Sequence, residues 1–105
     1  MKIYKALIED KKEFILSRQL LRSGTSVGAL IEEAIGGQTE KDFFAKMTIA
    51  YKEARETHYW IRLLRDSDFL DTQISRELLM DVDELQRIIG SIQKTVRSKK
   101  EVNNS

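Results

Sequence analysis

Residues 39–66 read TEKDFFAKMTIAYKEARETHYWIRLLRD, and the apolar seam Phe43, Met47, Ala50, Ala54, Thr57, Ile61, Leu64 alternates steps of four and three without a slip. Only a helix with one core-facing side brings such positions together. Thr39, with Asp42 three residues on and Gly36-Gly37 just before, supplies a start signal in which a side-chain oxygen caps an orphan amide. The pattern predicts a helix over 40–66.

The same spacing recurs on both sides. Leu78, Val82, Leu85, Ile89, Ile92 and Val96 predict a helix over 74–99, after a polar connection around Asp66-Ser67-Asp68 and Asp71-Thr72. Upstream, Leu16, Leu20, Ser23, Val27, Leu30 and Ala34 form a third seam, which crosses the turn-like run Arg22–Gly28, RSGTSVG. Each glycine costs about 1 kcal/mol in a helix interior. A loop has no reason to keep the seam in phase, so one helix over 11–35 is predicted, opened by a capping-box pattern of Asp10 and Glu13. The small residues then serve to let another backbone approach closely. Ile3, Tyr4, Leu7 and Ile8 give a short first helix over 2–9, or the remnant of a longer one. The expected fold is all-α: an antiparallel, up-and-down four-helix bundle with a short first helix, forming one domain over 1–105.

Composition agrees. The chain has 105 residues, 41% apolar and 33% charged, with neither Pro nor Cys. At ordinary usage about five prolines would occur, and proline is what helix interiors exclude. A chain this long buries roughly two thirds of its unfolded surface, enough for one core. Without cysteine there is no disulfide framework and no thiolate zinc site. No apolar run approaches the ~18 residues of a membrane span, and no signal-peptide pattern opens the chain, so a cytoplasmic location is expected. Eighteen basic against 17 acidic residues leave a net charge of +1, which argues against binding driven by bulk positive charge. The charge alternates along the chain: +3 over 1–22, −3 over 23–45, +2 over 46–66, −4 over 67–90 and +3 over 91–105. Antiparallel neighbours can use such alternation for pairing.

Catalytic readings fail on residue supply. His58 is the only histidine, with no local nucleophile or carboxylate relay, and reads as an aromatic at the seam edge. A ferritin-like two-metal site needs two Glu-x-x-His motifs, which one histidine cannot furnish. The run Gly24–Gly28 lacks the Lys-Ser/Thr of a phosphate loop and any strand before it. No enzyme activity, metal or cofactor is expected.

On a 100°-per-residue wheel with Phe43 at zero, Glu56, Ile49, Trp60 and Glu53 fall between about 220° and 280°, extended by Tyr59 and Leu63. A second non-polar strip of this kind either lies deep in the chain's own bundle or contributes to a subunit interface. Ile49, Tyr59, Trp60 and Leu63 are the interface candidates. Glu53 and Glu56 need partners, which Gln19, Ser23, Thr25, Ser26 or Arg22 could supply. Arg18 and Arg22 on one helix, with Arg55 and Arg62 on the next, are candidate phosphate contacts. A ring of identical subunits would multiply such patches.

Residues 16–29, LSRQLLRSGTSVGA, followed by Ile31-Glu32-Glu33-Ala34, resemble the hallmark of the bacterial 23S ribosomal RNA intervening-sequence proteins. Residues 42–47, DFFAKM, and 49–64, IAYKEARETHYWIRLL, are similar to that family's next helix, and the resemblance extends over nearly the whole chain. It implies an antiparallel four-helix bundle assembled as a homopentamer, with Gln19, Ser23, Ser26, Glu53 and Glu56 as the family's polar network. It also implies kinship with the accessory proteins of diversity-generating retroelements, which bind reverse transcriptase and nucleic acid. Leu30 stands where members usually carry Asn, so apolar packing is expected to replace a polar contact. Met1 falls inside what is usually a longer first helix, so the start is displaced or that helix is short. The expected function is a non-enzymatic, homo-oligomeric adaptor for RNA or DNA. The alternative is a protein–protein scaffold that ignores nucleic acid.

Overall fold

A computed structural model describes the backbone of residues 2–103 and the side chains of residues 11–99. It contains three helices, α1 (Lys2–Ile35), α2 (Glu40–Asp66) and α3 (Thr72–Asn103), and no strand among the described residues. The expected fourth helix is not seen. The break predicted at residue 10 does not occur, and 2–9 and 11–35 form one continuous helix. Glu9, Asp10 and Lys11 contain neither Gly nor Pro, and an Asp inside a helix costs less than about 1 kcal/mol. A capping-box pattern alone therefore does not interrupt the backbone ladder.

The run Arg22–Gly28 is helical, as its seam predicts, and its hydroxyls explain why. Thr25 Oγ1 lies 2.8 Å from the Leu21 carbonyl and 3.1 Å from that of Arg22, and Ser23 Oγ lies 3.2 Å from the Leu20 carbonyl. These side chains bond to the preceding turn, a pattern compatible with helix. The N-cap of α2 is Thr39, whose Oγ1 accepts from the Asp42 amide at 3.0 Å. Helix α3 starts two residues before its seam suggests, because Asp71 Oδ2 accepts from the amides of Gln73 and Ile74 at 3.1 and 3.2 Å. At the other end of α2, Phe69 N–H donates to Leu64 O and Asp68 N–H to Arg65 O, the two bonds of a Schellman turn. Asp68 takes the left-handed position at φ 63° that glycine usually fills.

Cross-helix contacts define two antiparallel registers. Arg22 meets Glu56 and Glu33 meets Lys46 between α1 and α2. Thr48 meets Gln93, His58 meets Asp83, and Arg97 lies 5.6 Å over the Phe44 ring between α2 and α3. Helix α2 is thus central, while among the described residues no Cα of α1 comes within 8 Å of one in α3. The molecule is long and flat, 68 × 24 × 17 Å.

The α1 seam buries Leu16, Ser23, Val27 and Ala34, and the α2 seam buries every predicted member except half-buried Phe43. Burying a residue such as Ile61 contributes about 1.5–3 kcal/mol. Leu30 packs beside the cluster of Ala34, Met47, Ala50 and Ile89, as expected for an apolar replacement of Asn. On α3 only Ile89 of the seam is fully buried; Leu78, Val82, Leu85, Ile92 and Val96 are half-exposed. Val82 and Leu85 also line an open groove on the α1 side.

Candidate functional site

Two features stand out: a polar cluster between α1 and α2, and the groove between α1 and α3. The first centres on Arg22. Its guanidinium donates to Glu56 Oε1, its Nε donates to Gln19 Oε1 at 3.0 Å, and its Nη1 lies 3.5 Å from Glu53 Oε2. Trp60 Nε1–H also donates to Glu56 Oε1, at 3.0 Å. Glu53 Oε2 is shielded from solvent and accepts no hydrogen bond among the described residues. Its compensation is therefore the Arg22 charge.

Below this cluster, Ser23 and Thr57 sit side by side with their hydroxyl oxygens 2.9 Å apart, at 0% and 8% exposure. Thr57 Oγ1 is also 2.8 Å from the Glu53 carbonyl. Two hydroxyl protons serve three acceptors here: with Thr57 donating to Ser23, Ser23 donates in turn to the Leu20 carbonyl. Of the predicted polar network, Gln19, Glu53 and Glu56 converge on Arg22, while Ser23 pairs with Thr57. Ser26 is half-buried on the same helix with no side-chain partner among the described residues.

The strip predicted on α2 divides. Glu53, Glu56 and Trp60 face Arg22 of α1, inside the chain's own bundle. Ile49 and Tyr59 are exposed and Leu63 is half-buried. Tyr59 stacks edge-on against Trp60 with centroids 5.0 Å apart, and Arg62 lies 6.0 Å from the Tyr59 centroid. Arg18 and Arg55 are exposed, with no ion-pair partner among the described residues, whereas Arg22 is committed to two carboxylates. At the end of α2, the Arg65 side chain hydrogen-bonds Asp66 and holds its carboxyl below the usual range. His58, expected at the seam edge, is half-buried beside Thr57 and reaches across the α2–α3 contact, with Nε2 3.2 Å from Asp83 Oδ1. No signal in residues 51–58 identifies that partner, since Asp83 lies on another helix.

The groove is apolar, with a cavity of about 310 Å³. Gly24, Val27, Gly28 and Ile31 form one wall, Ala54 and Thr57 the floor, and Val82 and Leu85 the other wall. A Cβ built on Gly24 or Gly28 would meet nothing within 4 Å. The close backbone approach expected of these glycines does not occur within the chain. Their helix packs on α2 through a different face. Beside them, Phe14, Leu21 and Ile35 are 64%, 68% and 70% exposed. No helix is long and apolar enough to cross a membrane among the described residues.

Comparison with known proteins fits this architecture. A crystal structure of a protein with unknown function from the S23 ribosomal protein family of Bacteroides thetaiotaomicron VPI-5482 superposes with a TM-score of 0.76 and 42% identity. The alignment covers 89% of this chain and 86% of that one. Comparison with curated proteins gives no match. The family model described as 23S rRNA-intervening sequence protein matches residues 1–91, and the chain therefore belongs to that family.

Proposed function

We propose that this protein is a non-enzymatic, homo-oligomeric adaptor, pentameric and cytoplasmic, that associates with nucleic acid or a ribonucleoprotein and needs no cofactor. The observation that supports it is the exposed apolar surface of the outer helices. Phe14, Leu21 and Ile35 on α1, with Ile74, Met80 and Ile88 on α3, are large side chains left in water by the single chain. Soluble monomers rarely keep such patches contiguous. Ile49, Tyr59 and Leu63 extend the apolar surface onto the back of α2. Trp60 borders them through its edge contact with Tyr59.

The exposed Arg18, Arg55 and Arg62 supply the phosphate contacts, repeated around the ring axis. Arg22 contributes less, because a phosphate would have to displace Glu53 and Glu56. The adaptor reading follows the related accessory proteins of diversity-generating retroelements. A protein–protein scaffold is the second reading, favoured by the +1 net charge and by the commitment of Arg22.

Light scattering on a sizing column tests the assembly, with five times the chain mass expected and a monomer at micromolar concentration refuting it. RNA and DNA titrations at two salt concentrations test the adaptor, since phosphate-driven affinity falls steeply with salt. Replacing Arg18, Arg55 and Arg62 together by Ala should flatten that slope. No binding at low salt leaves the scaffold.

A further inference from the structure

A net charge of +1 conceals where the charges sit. On the wheel of α2 with Phe43 at zero, Ala54 and Thr57 of the groove floor lie between about 320° and 20°, and Glu53 and Glu56, which meet α1, at about 280° and 220°. The side turned away from the floor, about 100–180°, carries Lys52, Arg55, Tyr59 and Arg62 at steps of three, four and three, all exposed. That row ends at Asp66, whose carboxylate is bonded to Arg65. Helix α3 continues the face. Arg76, Arg87 and Lys94 are exposed, fall within about 20° of one another, and lie about 120–180° around the helix from the groove residues Val82 and Leu85.

The register sets the two rows side by side. With Thr48 opposite Gln93 and His58 opposite Asp83, Arg87 stands level with about Ala54, next to Arg55, and Arg76 with about Arg65. None of the six cations has an ion-pair partner among the described residues. Asp83, the carboxylate between the rows, is engaged by His58. The exposed acids Glu77, Asp81 and Glu84 lie at least about 60° around α3 from its basic row. The near-neutral total is therefore the sum of unlike surfaces, and this one has a single sign. Tyr59, 48% exposed, stands inside it with cations four residues before and three after. An aromatic ring among cations suits a strand that offers a base to stack and phosphates to pair. A base within a duplex has no free face to stack on a side chain. Two copies of the face would repel each other, which disfavours it as a contact between subunits.

We propose that this face of α2 and α3 binds single-stranded nucleic acid, with an unpaired base stacked on Tyr59 and the phosphates of the strand held by the two basic rows. From Arg76 to Lys94 the face is about 27 Å long, enough for roughly eight phosphates at the 3.4 Å rise of one strand. The inference rests on the nucleic-acid reading above, specifies the strandedness of the ligand, and assigns Tyr59 to that ligand rather than to the subunit contact.

Fluorescence anisotropy with labelled twelve-nucleotide oligo-dT and oligo-U, beside a labelled twelve-base-pair DNA duplex, tests this on the full chain. The single strands should bind at least tenfold more tightly than the duplex. Tyr59→Leu should weaken their binding roughly five- to 150-fold, the worth of one base stack, and Tyr59→Phe should restore it. Replacing Arg76, Arg87 and Lys94 together by Ala should reduce the slope of log affinity against log salt by about 2. Duplex binding as tight as that of the single strands, or Tyr59→Leu binding like the parent chain, overturns the proposal and leaves the adaptor reading standing. An unchanged salt slope in the triple variant removes α3 from the face and overturns the proposal as well. Light scattering of Tyr59→Leu reads the assembly separately, and a changed mass returns Tyr59 to the subunit contact and overturns the proposal. No binding of any probe at low salt overturns both this inference and the nucleic-acid reading.

Discussion

Replacing Gly24 and Gly28 together by Ala separates what these residues cost the chain from what they provide to a partner. Both are helical, neither has a positive φ, and an added Cβ would meet nothing within 4 Å at either position. In the isolated chain each substitution gains helix propensity without a clash, about 0.8–1 kcal/mol per site. The double variant should thus be more stable by about 1.6–2 kcal/mol, which for a domain of this size raises Tm by roughly 6–16 °C. In the proposed assembly the effect should run the opposite way. Two methyl groups on the groove wall keep a partner surface packed there at greater distance, and overpacking of this kind costs about 1–3 kcal/mol, or roughly five- to 150-fold in association. Thermal unfolding followed by circular dichroism at a concentration below assembly, beside light scattering across a dilution series, reads both effects. A lower Tm in the dilute protein would refute the reasoning, since it would mean that the glycines are already packed within the chain. Unchanged association would mean that the subunit contact does not include these glycines.

Three further substitutions test the interior. Arg22→Met leaves Glu53 Oε2 with neither hydrogen bond nor counter-charge, so urea unfolding should show a loss of about 1–3 kcal/mol. Adding Glu53→Met should recover much of it, and equal losses in the single and double variants would count against the pairing. Ser23→Ala and Thr57→Val should each cost about 1 kcal/mol, while the double variant should cost no more than either single change, because both partners are then apolar. Strict additivity in the double-mutant cycle refutes that coupling. Asp68→Gly relieves a left-handed residue in an otherwise complete Schellman turn. It should raise stability by up to about 1 kcal/mol, whereas Asp68→Val should lower it by at least that much.

The helical seams were legible because they rest on spacing alone. The phase kept through Gly24 and Gly28 predicted that α1 is uninterrupted there, and the hydroxyls of Ser23 and Thr25 supply the physical reason. The break at residue 10 was misread because a capping pattern permits a helix start without requiring one. On α3 the seam was only partly informative. Ser75 and Gln86 are buried although both are polar, and Leu78 and Leu85 remain half-exposed although both are apolar, since one flank meets α2 and the other meets the groove. The partner of Glu53 and Glu56 was among several candidates, and helix register selected Arg22. Which side of α2 meets α1 depends on how three helices are arranged in space. No spacing within a single helix encodes that.

The central placement of α2 also bears on the order of events during folding. Loops of four and five residues join each helix to its antiparallel neighbour, so nearly every native contact lies within one of two overlapping hairpins. Chains dominated by such local contacts fold in microseconds to milliseconds. Bringing separate chains together is a second-order event, and subunit assembly takes milliseconds to minutes depending on concentration. In the proposed assembly the slow step is therefore the encounter between molecules, and its pace is set by the concentration of the chain.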